Sequence, residues 1–445
     1  MSPNPTARNA APPRRTHTGW SAGLLLFFLF LLLFANIRFN LLHTVPQDRF
    51  ISYQADSQAL ADQKIFEVAA YGQLDLKRGF LIKSATMEKL RLDAAFPERA
   101  PEDGTIYRSQ FGLQGLPGAL WQSIFRTAPA ETVQWLESLM AAGTAAVVVL
   151  LLHGLLIRCG PFVTLAAAVP LLFSPTLIYA GRNLYWVLPL IMLPLVATWR
   201  LYEARGLNGS TLRVAFPLIV TLVLLKCLCG YEYITCLCLA PAVALVAIWA
   251  SQDFRDTKGF LVHAVFLFGA ACVGFAIAMI VHFVFVWWAV GDFQAAIDSI
   301  LARATQHIAA TGSQGAPEKY QHGLVGLVLM IVKYLTMSGI FVGADVAIGD
   351  GTYGLLSSAF IGMFFFVILL SVARMRSIRE WRLVIGPVLV ISAGLLASVS
   401  WLVAARGHAL NHFHLNSMAF LPLILAFPLA LFAAAPLRNH AASVE

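Results

Sequence analysis

Charged side chains are scarce in this chain. Only 12% of its 445 residues are Asp, Glu, Lys or Arg, whereas 59% are hydrophobic, and the mean hydropathy is +0.74. A soluble globular protein carries about 25% charged residues and a smaller apolar share. The composition therefore excludes a soluble globular protein and predicts a polytopic membrane protein.

The sequence also lacks the short alternating segments that are typical of a membrane β-barrel. Several apolar stretches, the first at residues 20–37, instead reach the roughly 18 to 20 residues that a helix needs to cross the bilayer. Because a helix satisfies its own backbone hydrogen bonds in lipid, we expect an all-α membrane protein. No small-residue cleavage site precedes Arg38, which favours a retained anchor over a removed signal peptide.

Cysteine is equally sparse, with six residues in the whole chain. Four of them, in two C-x-C pairs at positions 227, 229, 236 and 238, share one apolar run. Such pairs occur at metal sites, but cysteine in an apolar run more often packs as a small hydrophobic residue. The cysteines therefore identify neither a metal site nor a redox compartment.

Basic residues outnumber acidic ones, 31 to 23, and give a formal net charge of +8. They lie in short clusters beside apolar runs, which is the positive-inside pattern and argues against nucleic-acid binding. The clusters predicted to be cytoplasmic are Arg14 with Arg15, Arg158, Arg200 with Arg205 and Arg213, Arg255 with Lys258, the basic run 374–382, and Arg438.

These clusters predict about ten transmembrane helices in a single domain. A cytoplasmic tail, 1–19, precedes the domain 20–445, which includes a large first outer loop, 39–131, and a second outer loop, 291–352, with interfacial or re-entrant helices. The predicted spans are 20–37, 132–157, 161–180, 184–200, 212–230, 233–250, 259–290, 353–373, 382–405 and 411–435.

The run 214–250 is predicted to be a helical hairpin, because Arg213 and Arg255 are both placed in the cytoplasm. Its outer turn is the sequence CGYEY, which contains Tyr231 and Glu232, and Lys226 lies shortly before it. Lys226 and Glu232 therefore need not lie at the centre of the bilayer.

An acidic helix is predicted early in the first outer loop, over residues 57–70 and ending at Gly72. Asp56 immediately precedes it. One interpretation makes Asp56 the N-cap of this helix, and the other makes it a general base at the membrane surface. Further along the loop, the glycine-rich stretch 107–118 either shapes a groove for an acceptor or leads the chain flexibly back into the bilayer.

Two basic motifs are predicted close to the outer interface. The first, GRNLYW at 181–186, contains Arg182, which either snorkels beside an aromatic belt or binds a phosphate with its guanidinium fork. The second, RGHALNHFHLN, contains Arg406, His408, His412 and His414. His408 and His412 have zinc-compatible spacing but lack the glutamate of the zinc-protease motif, so phosphate donors and ordinary interfacial residues are also open interpretations.

Ionisable residues from distant parts of the sequence all map to the outer face in this topology. Ionisable groups are costly in lipid and therefore indicate a polar cavity. A cavity with carboxylates and cations at the depth of the lipid headgroups suits a lipid phosphate. The residues concerned are Asp56, Arg182, Lys226, Glu232, Arg406 and the three histidines at 408, 412 and 414.

This layout resembles the GT-C class of membrane glycosyltransferases, which includes the protein mannosyltransferases and the lipid A aminoarabinose transferases. The resemblance lies in a first span, a large outer loop with an early acidic residue, and many further spans with outward-facing polar residues. More narrowly, RNLYW, KCLCGYEYI and LNHFHLN resemble stretches of bacterial polysaccharide-associated members. Asp-Ser at 56–57 stands where a paired Asp-Glu is expected, which leaves a divalent cation open as a cofactor.

The resemblance implies an enzyme that moves a sugar from a polyprenyl-phosphate carrier to a hydroxyl of a glycan, lipid or protein acceptor. Asp56 would deprotonate the acceptor, and the anomeric configuration would invert. Arg182, Lys226 or the 406–414 cluster would stabilise the departing phosphate, since cations help most where charge develops. Glu232 would orient Lys226 or bind the sugar.

The same resemblance implies that Asn183, Tyr185 and Tyr231 help to bind substrate. It also implies a role in cell-envelope polysaccharide or glycolipid assembly at the bacterial inner membrane, with membrane lipids around the chain and the active site facing the periplasm.

Two other functions are open from the sequence. A non-catalytic transporter or flippase of lipid-linked sugars would also need a polar cavity, although the chain shows no repeat and its long loops are unevenly placed. A membrane acyltransferase would use the histidines as bases, but these are predicted outside, away from cytoplasmic acyl-CoA.

Overall fold

Six helices that are long and apolar enough to cross a membrane dominate the part of the chain that the computed structural model describes. That part comprises residues 19–52, 55–93, 95–308, 320, 323–336, 345–348, 351–354, 367, 369, 371–372, 381–411 and 413–435. The six candidate spans are Trp20–Phe39, Pro129–Cys159, Gly209–Cys229, Ile234–Ser251, Thr257–Val290 and Arg382–Ala404. The protein is thus an all-α membrane protein, as the sequence predicts, whereas the count of ten spans is not confirmed.

The elements are numbered here in chain order. The helices of the first half are α1 (Gly19–Phe39), α2 (Gln47–Ser52), α3 (Ala55–Tyr71), α4 (Ala85–Leu92), α5 (Gly115–Phe125), α6 (Pro129–Cys159), α7 (Pro161–Leu172), α8 (Pro175–Ala180) and α9 (Leu188–Arg205). Those of the second half are α10 (Gly209–Cys229), α11 (Ile234–Ser251), α12 (Thr257–Val290), α13 (Phe293–Ile308), α14 (Gly323–Thr336), α15 (Arg382–Ala404), α16 (Arg406–Asn411) and α17 (Leu421–Ala433).

Proline divides the region that is predicted as one span at 161–180. Helix α7 ends at Leu172, and α8 starts at Pro175 after Ser174, whose ψ of 111° is extended. A residue before proline disfavours the helical conformation, and proline itself suits the first turn of a new helix. The region is therefore two short helices, of 12 and 6 residues.

Two further predicted spans, 184–200 and 411–435, become α-helical later in the sequence than predicted. The span predicted at 184–200 is α9, which starts four residues later because 181–187 form a loop. The span predicted at 411–435 begins as a 3-10 helix, Phe413–Phe420, and becomes α-helical only in α17, where Pro422 lies in the first turn. These two helices and α7 are not among the six candidate spans.

The predicted hairpin over 214–250 is present as α10 and α11, which are separated at Gly230. Both helices pack against α9 and α12. Helix α10 packs most extensively against α12, whereas α11 packs most extensively against α15 and also contacts α17. The turn between them therefore joins two parts of the bundle.

The loop segment, defined here as residues 40–128, is a folded unit. A short antiparallel pair joins Ile82 to Ile106 and Lys83 to Thr105. Helix α3 lies at the centre, packed against α4, α5, α6 and the first of these strands. It covers the predicted helix 57–70 but begins at Ala55, so Asp56 lies inside its first turn and not at the N-cap.

The opposite end of the bundle carries the basic residues that the sequence places in the cytoplasm. Arg382 pairs with Asp253 at 3.1 Å, and Arg158 donates to the carbonyl of Ser251 at 3.4 Å while its guanidinium lies 4.4 Å from the ring centre of Phe432. These contacts join α6, α11, α15 and α17 at the end of the bundle away from the loop segment.

The predicted second outer loop, 291–352, contains α13 and α14 in its described residues. Two strands, Asp345–Ile348 and Gly351–Gly354, pair antiparallel after them. The second strand extends into the predicted span 353–373, so residues 353 and 354 do not begin a helix as predicted. Most of that span, the basic run up to residue 380 and the two chain termini lie outside the described residues.

Candidate functional site

A cavity of about 630 Å³ lies where the loop segment meets the ends of the membrane helices. Helix α3 and the stretches 83–88 and 107–110 form one side, and the turn between α10 and α11, with parts of α12 and α15, forms the other. The lining residues include Asp56, Lys83, Glu88, Tyr107, Arg108, Gln110, Tyr185, Trp186, Tyr231, Glu232, Phe275, His282, Trp401 and His408.

Three carboxylates line this cavity, those of Asp56, Glu88 and Glu232, and the two predicted from the sequence are Asp56 and Glu232. Asp56 is exposed on the first turn of α3, where its Oδ1 accepts a hydrogen bond from the Ser57 hydroxyl at 3.3 Å. Glu232 lies half-buried on the turn after α10, where its Oε1 accepts a hydrogen bond from the Tyr185 hydroxyl at 2.9 Å. Both predicted acidic residues are therefore in contact with the same space.

Gly230 allows the chain to turn directly beside Glu232. A Cβ atom on Gly230 would collide with Gln110 Oε1 and Glu232 Oε2, so two polar side chains occupy the space that any other residue would fill. The carbonyl of Gly230 accepts a hydrogen bond from Lys226 Nζ at 2.8 Å. Glycine thus keeps the turn narrow enough for Glu232 to reach the cavity.

Lys226 is buried at the end of α10 and does not line the cavity. Its ammonium group instead binds the carbonyl of Gly230, at the C-terminus of its own helix. A cation at this position satisfies an orphan carbonyl and complements the helix dipole. The structure thus places Lys226 as a support for the turn that carries Glu232.

Arg182 also lies outside the cavity lining. Its Nη1 is 3.4 Å from Glu137 Oε2, its Nη2 donates to the carbonyl of Phe50 at 2.8 Å, and its guanidinium lies 4.2 Å from the ring centre of Phe50. All of these partners belong to the protein. The structure therefore places Arg182 in an internal ionic cluster and not at the cavity surface.

This ionic cluster consists of Arg38, Asp62, Arg91, Glu137 and Arg182. Glu137, which is buried, lies 3.4 Å from Arg38, 2.8 Å from Arg91 and 3.4 Å from Arg182. Arg91 also pairs with the fully buried Asp62 at 3.1 Å. The cluster joins α1, α3, α4, α6 and the loop 181–187, and thereby attaches the loop segment to the bundle.

The pKa of the Asp62 carboxyl group departs from its ordinary value. Its complete burial raises its pKa from 3.8 to about 7, in spite of the opposing effect of Arg91. Gln58 donates a hydrogen bond to Asp62 at 3.1 Å and accepts one from the backbone N–H of Leu184 at 2.8 Å. The same cluster is thus tied to the loop that carries Tyr185.

Asn183 shapes that loop from within. Its Oδ1 accepts hydrogen bonds from the backbone N–H groups of Tyr185 at 2.9 Å and Trp186 at 3.3 Å, which is an Asx-type turn. Asn183 is buried and is not part of the cavity lining, whereas the two aromatic residues that it positions are. Burial and the nearby Glu232 raise the pKa of Tyr185 well above its usual value, so its hydroxyl remains a donor.

Aromatic rings cover much of the cavity wall. Tyr231 packs against His282 and Phe275 with ring centres 5.5 and 5.9 Å apart, and its hydroxyl donates to the carbonyl of Ala278 at 3.4 Å. A second series of rings runs from Tyr185 through Trp186, Tyr233, Trp401 and His408, with successive ring centres 4.9, 5.8, 5.3 and 5.3 Å apart.

The predicted cluster at 406–414 is only partly described. His408 is buried, lines the cavity and packs against Trp401. Arg406 does not line it, and its Nη2 donates to the carbonyl of Gly323 at 2.9 Å. His412 lies outside the described residues, and so does the side chain of His414. The proposed zinc spacing of His408 and His412 therefore stays a prediction.

Several lining residues were not singled out from the sequence. They include Lys83, Glu88, Arg108, Trp186, His282 and Trp401. A signal existed for Arg108, which lies in the glycine-rich stretch for which a groove was one of two interpretations, and for His282, an imidazole within an apolar span. Trp401 gave no such signal, because an aromatic residue near the end of a span is typical of any membrane protein.

Among the described side chains, no three His, Cys, Asp or Glu residues are grouped so that they could hold a metal ion. The chain matches none of the protein-family models, curated proteins or solved structures with which it was compared. Any function is therefore inferred from the residues and their geometry, and not from a known relative.

Proposed function

We propose that this protein is a membrane glycosyltransferase, which moves a sugar from a polyprenyl-phosphate carrier to the hydroxyl group of a glycan, lipid or protein acceptor. The observation that carries the proposal is that Asp56 and Glu232 line the same cavity, between the loop segment and the membrane helices. Carboxylates bind hydroxyl protons, and aromatic rings offer flat surfaces to a sugar ring, so this lining suits a carbohydrate better than a plain lipid.

Asp56 takes the role of general base in this proposal. The oxygen of the acceptor hydroxyl attacks the anomeric carbon while its proton passes to the Asp56 carboxylate. The bond from that carbon to the carrier phosphate breaks, and its electron pair leaves with the polyprenyl phosphate. Attack from the face opposite the phosphate inverts the anomeric configuration. Asp56 suits this role because its carboxylate is exposed in the cavity wall.

Glu232 and Tyr185 hold the sugar in this proposal. The hydrogen bond between them fixes the orientation of the Glu232 carboxylate, which retains oxygen lone pairs for sugar hydroxyls. Tyr231 contributes part of the wall. Because Arg182 and Lys226 have internal partners, stabilisation of the leaving phosphate passes to other groups of the lining, the cations Lys83 and Arg108 and the imidazole of His408.

The site is proposed to face the outside of a bacterial inner membrane, in keeping with the positive-inside pattern of the opposite end. A transporter of lipid-linked sugars is the second candidate, since it too requires a polar cavity. The carboxylates and aromatic rings of the cavity lining favour the enzyme, because Asp56 is exposed there and can take the proton of an acceptor hydroxyl.

Sugar transfer by purified wild-type protein and Asp56→Asn, with a labelled polyprenyl-phosphate sugar, tests the proposal. The substitution keeps the shape of the side chain but removes the base, so we expect transfer to fall on the order of 100-fold or more with little change in melting temperature. Asp93→Asn is the matched control, because Asp93 is an exposed residue of the loop segment outside the cavity.

Normal transfer by Asp56→Asn would remove Asp56 from the mechanism. If the wild type transfers no sugar from any carrier but moves lipid-linked sugar across proteoliposomes, the transporter replaces the enzyme.

A further inference from the structure

Gln58 is a buried glutamine whose side-chain amide is hydrogen-bonded at both ends. It lies on α3 and is 3% exposed. Its Nε2 donates to Asp62 Oδ1 at 3.1 Å, and its Oε1 accepts from the backbone N–H of Leu184 at 2.8 Å. A backbone N–H only donates, so the amide must turn its oxygen toward Leu184 and its NH2 group toward Asp62. The two partners therefore fix the orientation of the amide.

Gln58 and the proposed base lie on opposite faces of α3. Asp56 lines the cavity, whereas Gln58 does not. Because an α-helix has 3.6 residues per turn, residues two apart point about 200° away from each other, and Asp62, one turn after Gln58, shares its face. One helix thus carries Asp56 on the cavity side and a hydrogen bond to the loop 181–187 on the other.

The loop 181–187 leads from Gln58 back to the cavity. Leu184 is followed by Tyr185, whose hydroxyl donates to Glu232 Oε1 at 2.9 Å. The loop ends at Val187 in the left-handed region, with φ 47° and ψ 55°, which is unfavourable for a β-branched residue. Such a conformation persists only where the surrounding structure holds it, and the hydrogen bond from Leu184 to Gln58 is one contact that does so.

We propose that Gln58 is a positioning residue, which holds the hydrogen-bonded pair of Tyr185 and Glu232 at a fixed separation from Asp56. Through Gln58, the helix that carries the proposed base also sets the place of the sugar-binding pair. The inference rests on the proposed function for the roles of Asp56 and Glu232. It goes further, because it assigns a role in the site to a residue that does not line the cavity.

The surroundings of Tyr185 test the proposal without any substrate. The full-length protein in lipid nanodiscs carries 3-fluorotyrosine in place of Tyr185, and its fluorine NMR resonance is recorded. Gln58→Leu removes both hydrogen bonds of the amide and keeps a side chain of similar volume, so we expect the resonance to move. Gln63→Leu is the matched control, because Gln63 is also a buried glutamine of α3 but donates to the carbonyl of Pro101 at 3.0 Å, within the loop segment.

Gln58→Glu is the conservative variant. Its carboxyl group still accepts from Leu184, and Asp62, whose pKa is about 7, supplies the proton that the two carboxyl groups share at pH 6. We expect its resonance at pH 6 to lie near that of the wild type. Should Gln58→Leu not fold, Gln58→Asn replaces it, because its amide is one methylene too short to bridge the two partners.

Sugar binding shows whether Gln58 acts through Tyr185. Calorimetric titration with citronellyl phosphate esters of glucose, mannose and N-acetylglucosamine measures the affinities of Gln58→Leu, Tyr185→Phe and the double variant. We expect Gln58→Leu to weaken binding by about two- to tenfold alone, as for the loss of one hydrogen bond, but by less than about twofold in the Tyr185→Phe background. A merely structural role would give the same loss in both backgrounds.

An unchanged resonance in Gln58→Leu, an equal change in Gln63→Leu, or equal affinity losses in the two backgrounds would overturn the positioning role and leave the glycosyltransferase proposal standing. A resonance of Gln58→Glu that moves as far as that of Gln58→Leu would also overturn it, since the acceptor for Leu184 is then not what matters. A change confined to Gln58→Leu, without binding of any ester, would support the positioning role and contradict a polyprenyl-phosphate sugar as the ligand.

Discussion

The ionic cluster and the cavity lie side by side on α3 and contain similar side chains, yet they differ in where their polar atoms find partners. In the cluster, three guanidinium groups share the carboxylates of Glu137 and Asp62. In the cavity, Asp56 is exposed and the indole N–H groups of two buried tryptophans have no acceptor among the described residues. The charges of the cluster are thus paired within the protein and stabilise the fold, whereas the exposed carboxylate of Asp56 is open to a ligand.

Loss of Glu137 should have the largest effect on stability. Glu137→Gln leaves Arg38, Arg91 and Arg182 without their shared anion in a buried setting, and breaking a buried ion pair from one side costs about 3–5 kcal/mol. Denaturant unfolding of the purified protein measures this cost. Glu131→Gln is the control, since Glu131 is exposed in the first turn of the same helix. A cost no greater than that of the control would mean that the cluster does not hold the loop segment.

Asp62 should make stability depend on pH. Its folded-state pKa of about 7 lies above its ordinary value of 3.8, so the folded state binds the proton more tightly than the unfolded state. The stability that Asp62 contributes is therefore complete below about pH 4 and is lost as the pH rises through 7, by on the order of a few kcal/mol.

Thermal unfolding between pH 5 and 8 measures this effect as the difference between wild type and Asp62→Asn, which cannot titrate at this position. The stability of the wild type relative to the variant should fall as the pH rises. A constant difference, or one that grows with pH, would show that Asp62 is already ionised when folded.

Tyr185→Phe should have an intermediate effect, centred on the cavity. It removes the hydrogen bond to Glu232, and a hydrogen bond to a charged group contributes about 1.5 kcal/mol at the low end. We expect about a tenfold loss in affinity for a polyprenyl-phosphate sugar and a smaller change in melting temperature. Tyr71→Phe, at an exposed position, is the control. An unchanged affinity would mean that the Tyr185 hydroxyl does not orient Glu232.

Gly230→Ala should affect stability least. The φ of 163° at Gly230 is extended and suits any residue, and the new Cβ meets only the ends of two side chains, Gln110 and Glu232. We therefore expect a stability loss below about 1 kcal/mol, because flexible side chains move at little cost, but weaker sugar binding, because Glu232 is displaced. Gly209→Ala, where nothing lies within 4 Å of the added Cβ, is the control. Unchanged sugar binding would mean that Glu232 does not take part in binding the sugar.

The sequence predicts the membrane helices best where charged clusters mark their ends, as for α10 and α11. It predicts them less well where the backbone is interrupted within an apolar run: Pro175 divides one predicted span, and the loop 181–187 delays the start of another. A hydropathy profile averages over many residues, so it does not register a local break such as the one that proline causes in the backbone.

The candidate site shows the same limit. Asp56, Tyr185, Tyr231, Glu232 and His408 all line the cavity. The sequence also grouped the cations with them, because an ionisable residue near the membrane is a functional candidate until its partner is known. Those partners are a carboxylate from a remote helix for Arg182 and backbone carbonyls for Lys226 and Arg406, and folding alone brings them together.

Helix α3 is shielded from water over most of its length. From Gln58 to Val68 every one of its side chains is buried, polar and apolar alike. Its amide hydrogens should therefore exchange with deuterium as slowly as those of a membrane span, although α3 is not itself a candidate span. Slow exchange in this protein would then report enclosure by neighbouring helices, and would be a poor guide to depth in the bilayer.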